Sequence, residues 1–228
     1  MQTNNQLLRQ LPLRDQTRIM AKMQRYDLVY KKDVYLSGEV INDVYFPDSG
    51  IISLLAVIGK GSTIEVGIVG NEGMVGLSVF LGVKTSINRA VVQGAGTAST
   101  LTTAEFLTEC EDGQDLSRIL RRFTYSLMTQ IAQSAVCNRY HPIDARLARW
   151  LLMRRDRMHS DELQITQEFL SNMLGVRREA VSRAATKFHE DNLISYVRGR
   201  MIIGDSKELE RRACSCYHLI VAEQAVSS

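Results

Sequence analysis

Arg178, Glu179, Ser182 and Arg183 fall on successive turns of any helix that contains them, and their side chains carry groups that match the edges of DNA bases. An arginine fork fits guanine, a glutamate accepts from the cytosine amino group, and a serine hydroxyl serves either role. Charges at this spacing are more often a solvated helix face, stabilised by roughly a few tenths of a kcal/mol per pair. What raises these four above that reading is the element that must present them. Residues 165–194, ITQEFLSNMLGVRREAVSRAATKFHEDNLI, predict two helices joined by a tight turn. Thr166 caps the first helix, Phe169, Leu170, Met173 and Leu174 recur at helical spacing, and Gly175 ends it without steric cost. In the second helix Val181, Ala184, Ala185 and Phe188 form an apolar face, while Arg177, Arg178, Glu179, Ser182, Arg183 and Lys187 lie mostly away from it. After the exit Asn192-Leu193-Ile194, residues 196–203 (YVRGRMII) read as a two-stranded wing turning at Gly199. Its tip carries Arg198 and Arg200, suited to phosphate.

Across residues 165–203 the chain resembles, without gaps, the winged helix-turn-helix of the Crp/Fnr family of bacterial transcription regulators. The residues that carry the likeness are Ile165-Thr166, Gly175, Arg178-Glu179, Arg183 and the exit at 192–194. The resemblance implies that Arg178, Glu179 and Arg183 contact bases of a short inverted-repeat half-site. Ser182 beside Arg183 matches the Fnr branch, so the preferred half-site stays open. Phosphate contacts are expected from Thr166, Arg177, Lys187, Arg198 and Arg200. The implied partners are double-stranded DNA, a second copy of the chain in a homodimer, and RNA polymerase.

Composition sets outer bounds. At 228 residues with 45% hydrophobic content, the chain suits one large domain or two modest ones with a sizeable core. The opening MQTNNQLLRQ lacks the apolar centre of a signal peptide, and the longest apolar run, around 51–58, is too short to span a bilayer. A cytoplasmic location without a membrane partner is expected. Cys110, Cys137, Cys214 and Cys216 are too scattered for a disulfide framework. The Cys-x-Cys at 214–216 shows no second pair or nearby imidazole cluster to complete a zinc site, which favours reduced thiols. The Fnr branch holds an iron–sulfur cluster on cysteines near its N-terminus, and this chain has none before Cys110, so neither cluster nor metal is expected. Charge is uneven: residues 1–114 hold 10 Lys or Arg against 12 Asp or Glu (net −2), and residues 115–228 hold 18 against 13 (net +5). The basic half contains the helix pair, and phosphate neutralisation there would make affinity fall with salt.

Upstream, Leu7, Leu8, Leu11, Leu13, Ile19, Met20 and Met23 suit one or two short helices. From Tyr26 onward, short β-branched and aromatic runs alternate with turn signals at 37–38, 47–50, 59–62 and 70–73. That spacing predicts an antiparallel barrel or roll, closing with strands near 89–93 and 97–101. The family likeness makes it a cyclic-nucleotide-binding-like β-roll, in which a Gly-Glu pair opens a short helix and a later Arg-Ser or Arg-Thr grips the cyclic phosphate. Here the corresponding pairs are Gly76-Leu77 and Arg89-Ala90, so Gly76 and Arg89 match as effector-binding candidates and the other two do not. Losing the glutamate leaves a ribose hydroxyl unpaired at a cost of about 1–3 kcal/mol. Ile131 and Ala132 also stand where cyclic-AMP-binding members place adenine-contacting hydroxyls. An effector other than cyclic AMP, or none, is expected. Arg89 then either holds some other anion or pairs with an acidic neighbour.

Thr102 with Glu105 predicts a capped short helix. A long helix follows over about 115–139, with Leu116, Leu120, Phe123, Leu127 and Ile131 as an apolar seam. That seam packs either on the roll or, as favoured here, also on a twin helix, because a palindromic site requires two reading helices about 34 Å apart. His141-Pro142 ends it. Leu147, Leu151 and Leu152 then lie under the helix pair, Trp150 packs in the core, 153–162 is a charged connection, and 207–212 a fraying helix. The expected class is α+β: a sensor-like roll over 1–114 with short N-terminal helices, a dimerisation helix over 115–141, and a winged helix-turn-helix over 142–228. An enzyme is not expected, since His141, His159, His189 and His218 all follow the predicted strands and no nucleophile elbow, P-loop or His-Glu-x-x-His occurs. The alternative is a nucleotide-responsive regulatory subunit whose C-terminal helices bind a protein.

Overall fold

The computed structural model describes residues 3–59, 62–197 and 200–227. Short strands β1 (Gln24–Leu28), β2 (Asp33–Tyr35), β3 (Asp43–Pro47), β4 (Ile51–Ile58), β5 (Ser62–Val69), β6 (Asn88–Gly94) and β7 (Gly96–Thr102) pair antiparallel. They form two sheets, ordered β1-β7-β3 and β2-β6-β4-β5. Because side chains alternate across a strand, each sheet turns one apolar row inward, and Leu28, Val44, Phe46, Ile52, Val69, Val92 and Leu101 meet in a common core. Helices α1 (Gln6–Arg9) and α2 (Leu13–Met20) add Leu7, Leu8 and Ile19 to it. The short helix α3 (Leu77–Phe80) starts at Gly76, which sits at φ 98°, a backbone state that glycine adopts without strain. The expected β-roll is present.

Helix α4 (Thr103–Asp112) begins with the capping box read from the sequence: the Thr102 hydroxyl accepts from the Glu105 amide, and the Thr102 amide donates to the Glu105 carboxylate. Helix α5 (Gln114–Tyr140) then packs beside the roll through its first half, and Cys137 near its end meets Cys214 and Cys216. Leu116, Leu120, Phe123 and Leu127 are buried in the core of the same chain. The seam expected to pack also on a twin helix is covered by the roll of the same chain at four of its five residues, and only Ile131 is exposed. A second stripe, Tyr125, Met128, Val136 and Tyr140, faces outward. An apolar period shows that a helix has a buried side and cannot say which neighbour buries it.

His141 takes the extended conformation that a following proline imposes, and Pro142 caps α6 (Ile143–Met158). Helix α6 is longer than the sequence suggested, because the stretch expected as a charged connection continues the helix and buries Arg154 and Arg157. Their partners explain it. Arg154 Nη2 lies 2.7 Å from Glu65 Oε2 on β5, with both side chains more than nine-tenths buried. Ser53 on β4 donates to the same carboxylate oxygen at 2.5 Å, and the Arg154 guanidinium lies 3.8 Å from the centre of the Trp150 ring. Burial lowers the affinity of Arg154 for its proton and Glu65 opposes that shift. Arg157 Nε similarly meets Glu72 Oε1 at 2.7 Å.

The chain ends with β8 (Glu162–Leu163), α7 (Gln167–Leu174), α8 (Arg178–Glu190), β9 (Ile194–Val197), β10 (Arg200–Ile203), α9 (Ser206–Arg212) and α10 (Cys216–Ser227). The last three strands form a small sheet ordered β8-β10-β9. No helix among the described residues is long and apolar enough to cross a membrane.

Glu65→Ala strands a buried guanidinium and is expected to lower the unfolding free energy by about 3–5 kcal/mol. The double variant Glu65→Ala/Arg154→Met should recover much of that loss, as checked by chemical denaturation of the three proteins.

Candidate nucleic-acid interface

Three elements hold the presenting helix. Thr166 caps α7 by accepting from the Phe169 amide at 3.2 Å. Gly175 ends α7 at φ 62°, and the chain enters α8 directly. Asn192, at φ 59°, ends the turn after α8, with the Leu193 amide donating to the Phe188 carbonyl at 2.8 Å. Val181, Ala184, Ala185 and Phe188 bury one face of α8 in a core with Leu147, Leu151, Leu152, Leu170, Met173 and Leu174. Ile51, Leu55, Ile68 and Val91 of the roll belong to the same core, so the helix pair is seated on the outside of the β4-β5-β6 surface. The turn is close-fitting there, since a Cβ on Gly175 would come within 2.6 Å of Ile64 Cδ1. Arg146 joins the layers, donating to the Leu174 carbonyl at the end of α7 and to Asn138 on α5.

The opposite face of α8 is open. Arg177, Arg178, Glu179, Arg183 and Lys187 are exposed and Ser182 is half-buried. Arg177, Arg178 and Arg183 have no carboxylate partner among the described residues. Lys187 reaches Asp144 only at 3.9 Å, with both side chains solvated. Arg177 precedes the helix, and no side chain caps its first turn. That end of α8 thus presents unpaired amide donors and cationic side chains together, an arrangement attractive to anions.

The remaining phosphate candidates divide. Thr166 is exposed, but its hydroxyl oxygen already serves the α7 cap. Arg200 is exposed and paired across the small sheet with Glu162, a solvated contact of low value. Arg198 and Gly199 lie outside the described residues, bracketed by the paired Val197 and Arg200.

The effector candidates do not converge. Gly76 lines a cavity of about 320 Å³ between the roll and α5, walled by apolar side chains including Met74, Leu77, Leu127, Met128 and Ile131. Arg89 is absent from that wall. It holds Asp33 with both branches of its guanidinium, Nε to Oδ1 at 2.6 Å and Nη2 to Oδ2 at 3.2 Å. The acidic-neighbour reading of Arg89 is the one the structure displays.

Cys137, Cys214 and Cys216 are not scattered as their sequence positions suggest. Cys214 and Cys216 do have an imidazole beside them: His141 and Cys137, from the end of α5, bring their ligand atoms within 4.8 Å of both. The available signal was Cys137-x-x-x-His141, a spacing that places two ligands on one side of a last helical turn. Its partners lie too far along the sequence to be paired without the fold.

With this geometry, residues 145–212 match the Crp-like helix-turn-helix domain. Over those residues the chain is similar to the Crp-like helix-turn-helix family. The Crp-like unit spans most of α6 through the end of α9, so it includes the helix pair and the wing. Solved structures with similar architecture include FixK2 from Bradyrhizobium japonicum (TM-score 0.72, 13% identity, covering 85% of this chain and 98% of that one). TTHB099, a transcriptional regulator of the CRP family from Thermus thermophilus, aligns with TM-score 0.68 and 22% identity over 84% of this chain and 96% of that one. TTHA1359, a CRP/FNR-family regulator from the same organism, aligns with TM-score 0.65 and 17% identity over 83% and 98%. These likenesses establish the Crp/Fnr fold for the whole arrangement of β-roll, long helix and Crp-like head. No curated protein matches the chain in sequence.

Gly175→Ala forces a side chain into the left-handed region at a cost of about 1–2 kcal/mol, with the Ile64 contact adding to it. Thermal denaturation should show a loss that is smaller in an Ile64→Ala background.

Proposed function

We propose that the chain is a cytoplasmic, homodimeric transcription regulator that reads an inverted repeat in DNA. The observation that carries this reading is the division of α8: an apolar face buried under α6 and α7, and an opposite face of Arg177, Arg178, Glu179, Ser182, Arg183 and Lys187 turned outward. Arg178, Glu179, Ser182 and Arg183 read base edges in the major groove, while Thr166, Arg177, Lys187, Arg198 and Arg200 hold phosphates. The unit over 142–228 is the head, the helix over 115–141 joins two copies, and the roll over 1–114 sets their relative orientation. RNA polymerase is the downstream partner.

The dimer surface is the outer stripe of α5. Tyr125 and Met128 are each more than three-fifths exposed, and Ile131, Val136 and Tyr140 continue the patch. A helix with that much apolar area in water gains from pairing with its twin, and the twin supplies the second reading helix.

Control follows from the same layout. An effector acts only through unequal affinity for DNA-competent and incompetent arrangements. The apolar cavity beside Gly76 suits an uncharged ligand and offers a cyclic phosphate no arginine, because Arg89 is engaged by Asp33.

Fluorescence anisotropy on a duplex selected from genomic fragments tests the readers. Arg178→Ala and Arg183→Ala should each cost about 1–3 kcal/mol and relax choice at one base pair per half-site. Arg177→Ala should weaken all sequences alike and reduce the salt slope by about 1; identical behaviour of all three variants would overturn the division of roles. Calorimetry with cyclic AMP and cyclic GMP should show no micromolar binding. Light scattering should give a dimer for the native chain and a monomer for Tyr125→Glu/Met128→Glu.

A further inference from the structure

We propose that Cys137, His141, Cys214 and Cys216 form a binding site for one thiophilic divalent metal ion, zinc foremost, which fastens the end of the long helix to the C-terminal tail. The site is independent of the DNA-reading face and stands or falls separately from it.

The four ligands come from three places. Cys137 and His141 are on the last turn of α5 and its cap, Cys214 follows α9, and Cys216 opens α10. Cys137 Sγ lies 3.4 Å from Cys214 Sγ, and Cys216 Sγ lies 3.6 Å from His141 Nδ1. All four ligand atoms fall within 4.8 Å of one another. With Zn–S near 2.3 Å and Zn–N near 2.0 Å, the ligand–ligand edges of a tetrahedral site are about 3.5–3.8 Å. The observed separations bracket that size. An iron–sulfur cluster places several metal and sulfide atoms between its protein ligands and requires them to be spread wider. A disulfide requires about 2.05 Å between sulfurs, and these thiols are free.

The surroundings supply a second, separate observation. Arg149 is buried, 7% exposed, and the only hydrogen-bond acceptor at its guanidinium among the described residues is the Met153 sulfur at 3.4 Å. Its Nε has no partner among the described residues. An unpaired buried guanidinium is strongly disfavoured, yet the positive charge of Arg149 acts on all three clustered thiols. A divalent ion with three thiolates and one neutral imidazole carries a net charge of minus one, which is the counter-charge that Arg149 otherwise lacks. Three neutral thiols would leave it unbalanced. The ligand set also selects the metal class, since three sulfurs and one imidazole suit zinc far better than calcium, magnesium or manganese.

The position gives the ion a mechanical consequence. Helix α10 packs along α5, and His141 precedes the proline where the chain turns from α5 into the head. One ion thus ties the long helix, the turn and the chain segment leaving the head. Binding would deprotonate the thiols and add its free energy to the folded arrangement.

The full chain, purified under reductant with zinc supplied, should contain one equivalent of zinc by plasma mass spectrometry. After chelation, cobalt(II) should restore one equivalent with thiolate charge-transfer bands and the intense visible absorption of a tetrahedral site, and zinc should displace it. Cys137→Ser, Cys214→Ser and Cys216→Ser should each lose that spectrum, whereas Cys110→Ser, outside the cluster, should keep it. The native-chain measurements decide the matter even if a variant fails to fold. The proposal is overturned if the reduced native chain holds well under one equivalent and gives no tetrahedral cobalt spectrum. It is equally overturned by an iron–sulfur chromophore after anaerobic purification, or by a Cys137–Cys214 disulfide that persists under reductant.

Discussion

The ion pair between Arg154 on α6 and Glu65 on β5 is the contact on which the arrangement of this chain depends. Both groups are withdrawn from water, and each is tolerable only because the other is there. A pair of that kind fixes position more than it adds stability: an apolar interface can slide at little cost, but sliding here would expose two uncompensated charges to a low dielectric. Ser53 and Trp150 hold the same guanidinium from either side, and Arg157 with Glu72 repeats the arrangement one turn along α6. Helix α6 is thereby keyed to the roll on one side.

On its other side α6 receives α7 and α8, and this determines what the head can show to a partner. With Val181, Ala184, Ala185 and Phe188 committed to the core, α8 can rotate neither way without burying an arginine. Arg146 extends the linkage by joining α5 to the carbonyl end of α7. The route from roll to α8 is therefore a chain of hydrogen-bonded and packed groups. A two-state regulator built this way would have to break Arg154–Glu65 or carry it along intact.

The helix pair was legible because its signals are local. Thr166, Gly175 and Asn192 each act on residues within one turn, and the apolar face of α8 repeats every three or four positions. The strands and the Thr102 capping box were legible for the same reason. What the sequence concealed depends on distant partners. Arg154 and Arg157 look solvated until the fold brings Glu65 and Glu72 against them from 89 and 85 residues upstream. The seam on α5 reads as apolar from its spacing, but that the roll covers four of its five residues does not, because a period of 3.6 carries no information about which surface covers it. The same limit hid the proximity of Cys137 and His141 to Cys214 and Cys216. For Arg89 the sequence allows an anion site or an acidic neighbour, and the placement of Asp33 separates the two.

Selection of bound duplexes from a random-sequence pool, followed by sequencing, reveals whether the outward face of α8 discriminates among bases at all. A two-fold symmetric site should be enriched, its half-sites centred about one helical turn apart, about 34 Å, with guanine among the discriminated positions. A pool that stays random after repeated selection at physiological salt, with whatever binding remains abolished by added salt, would contradict it.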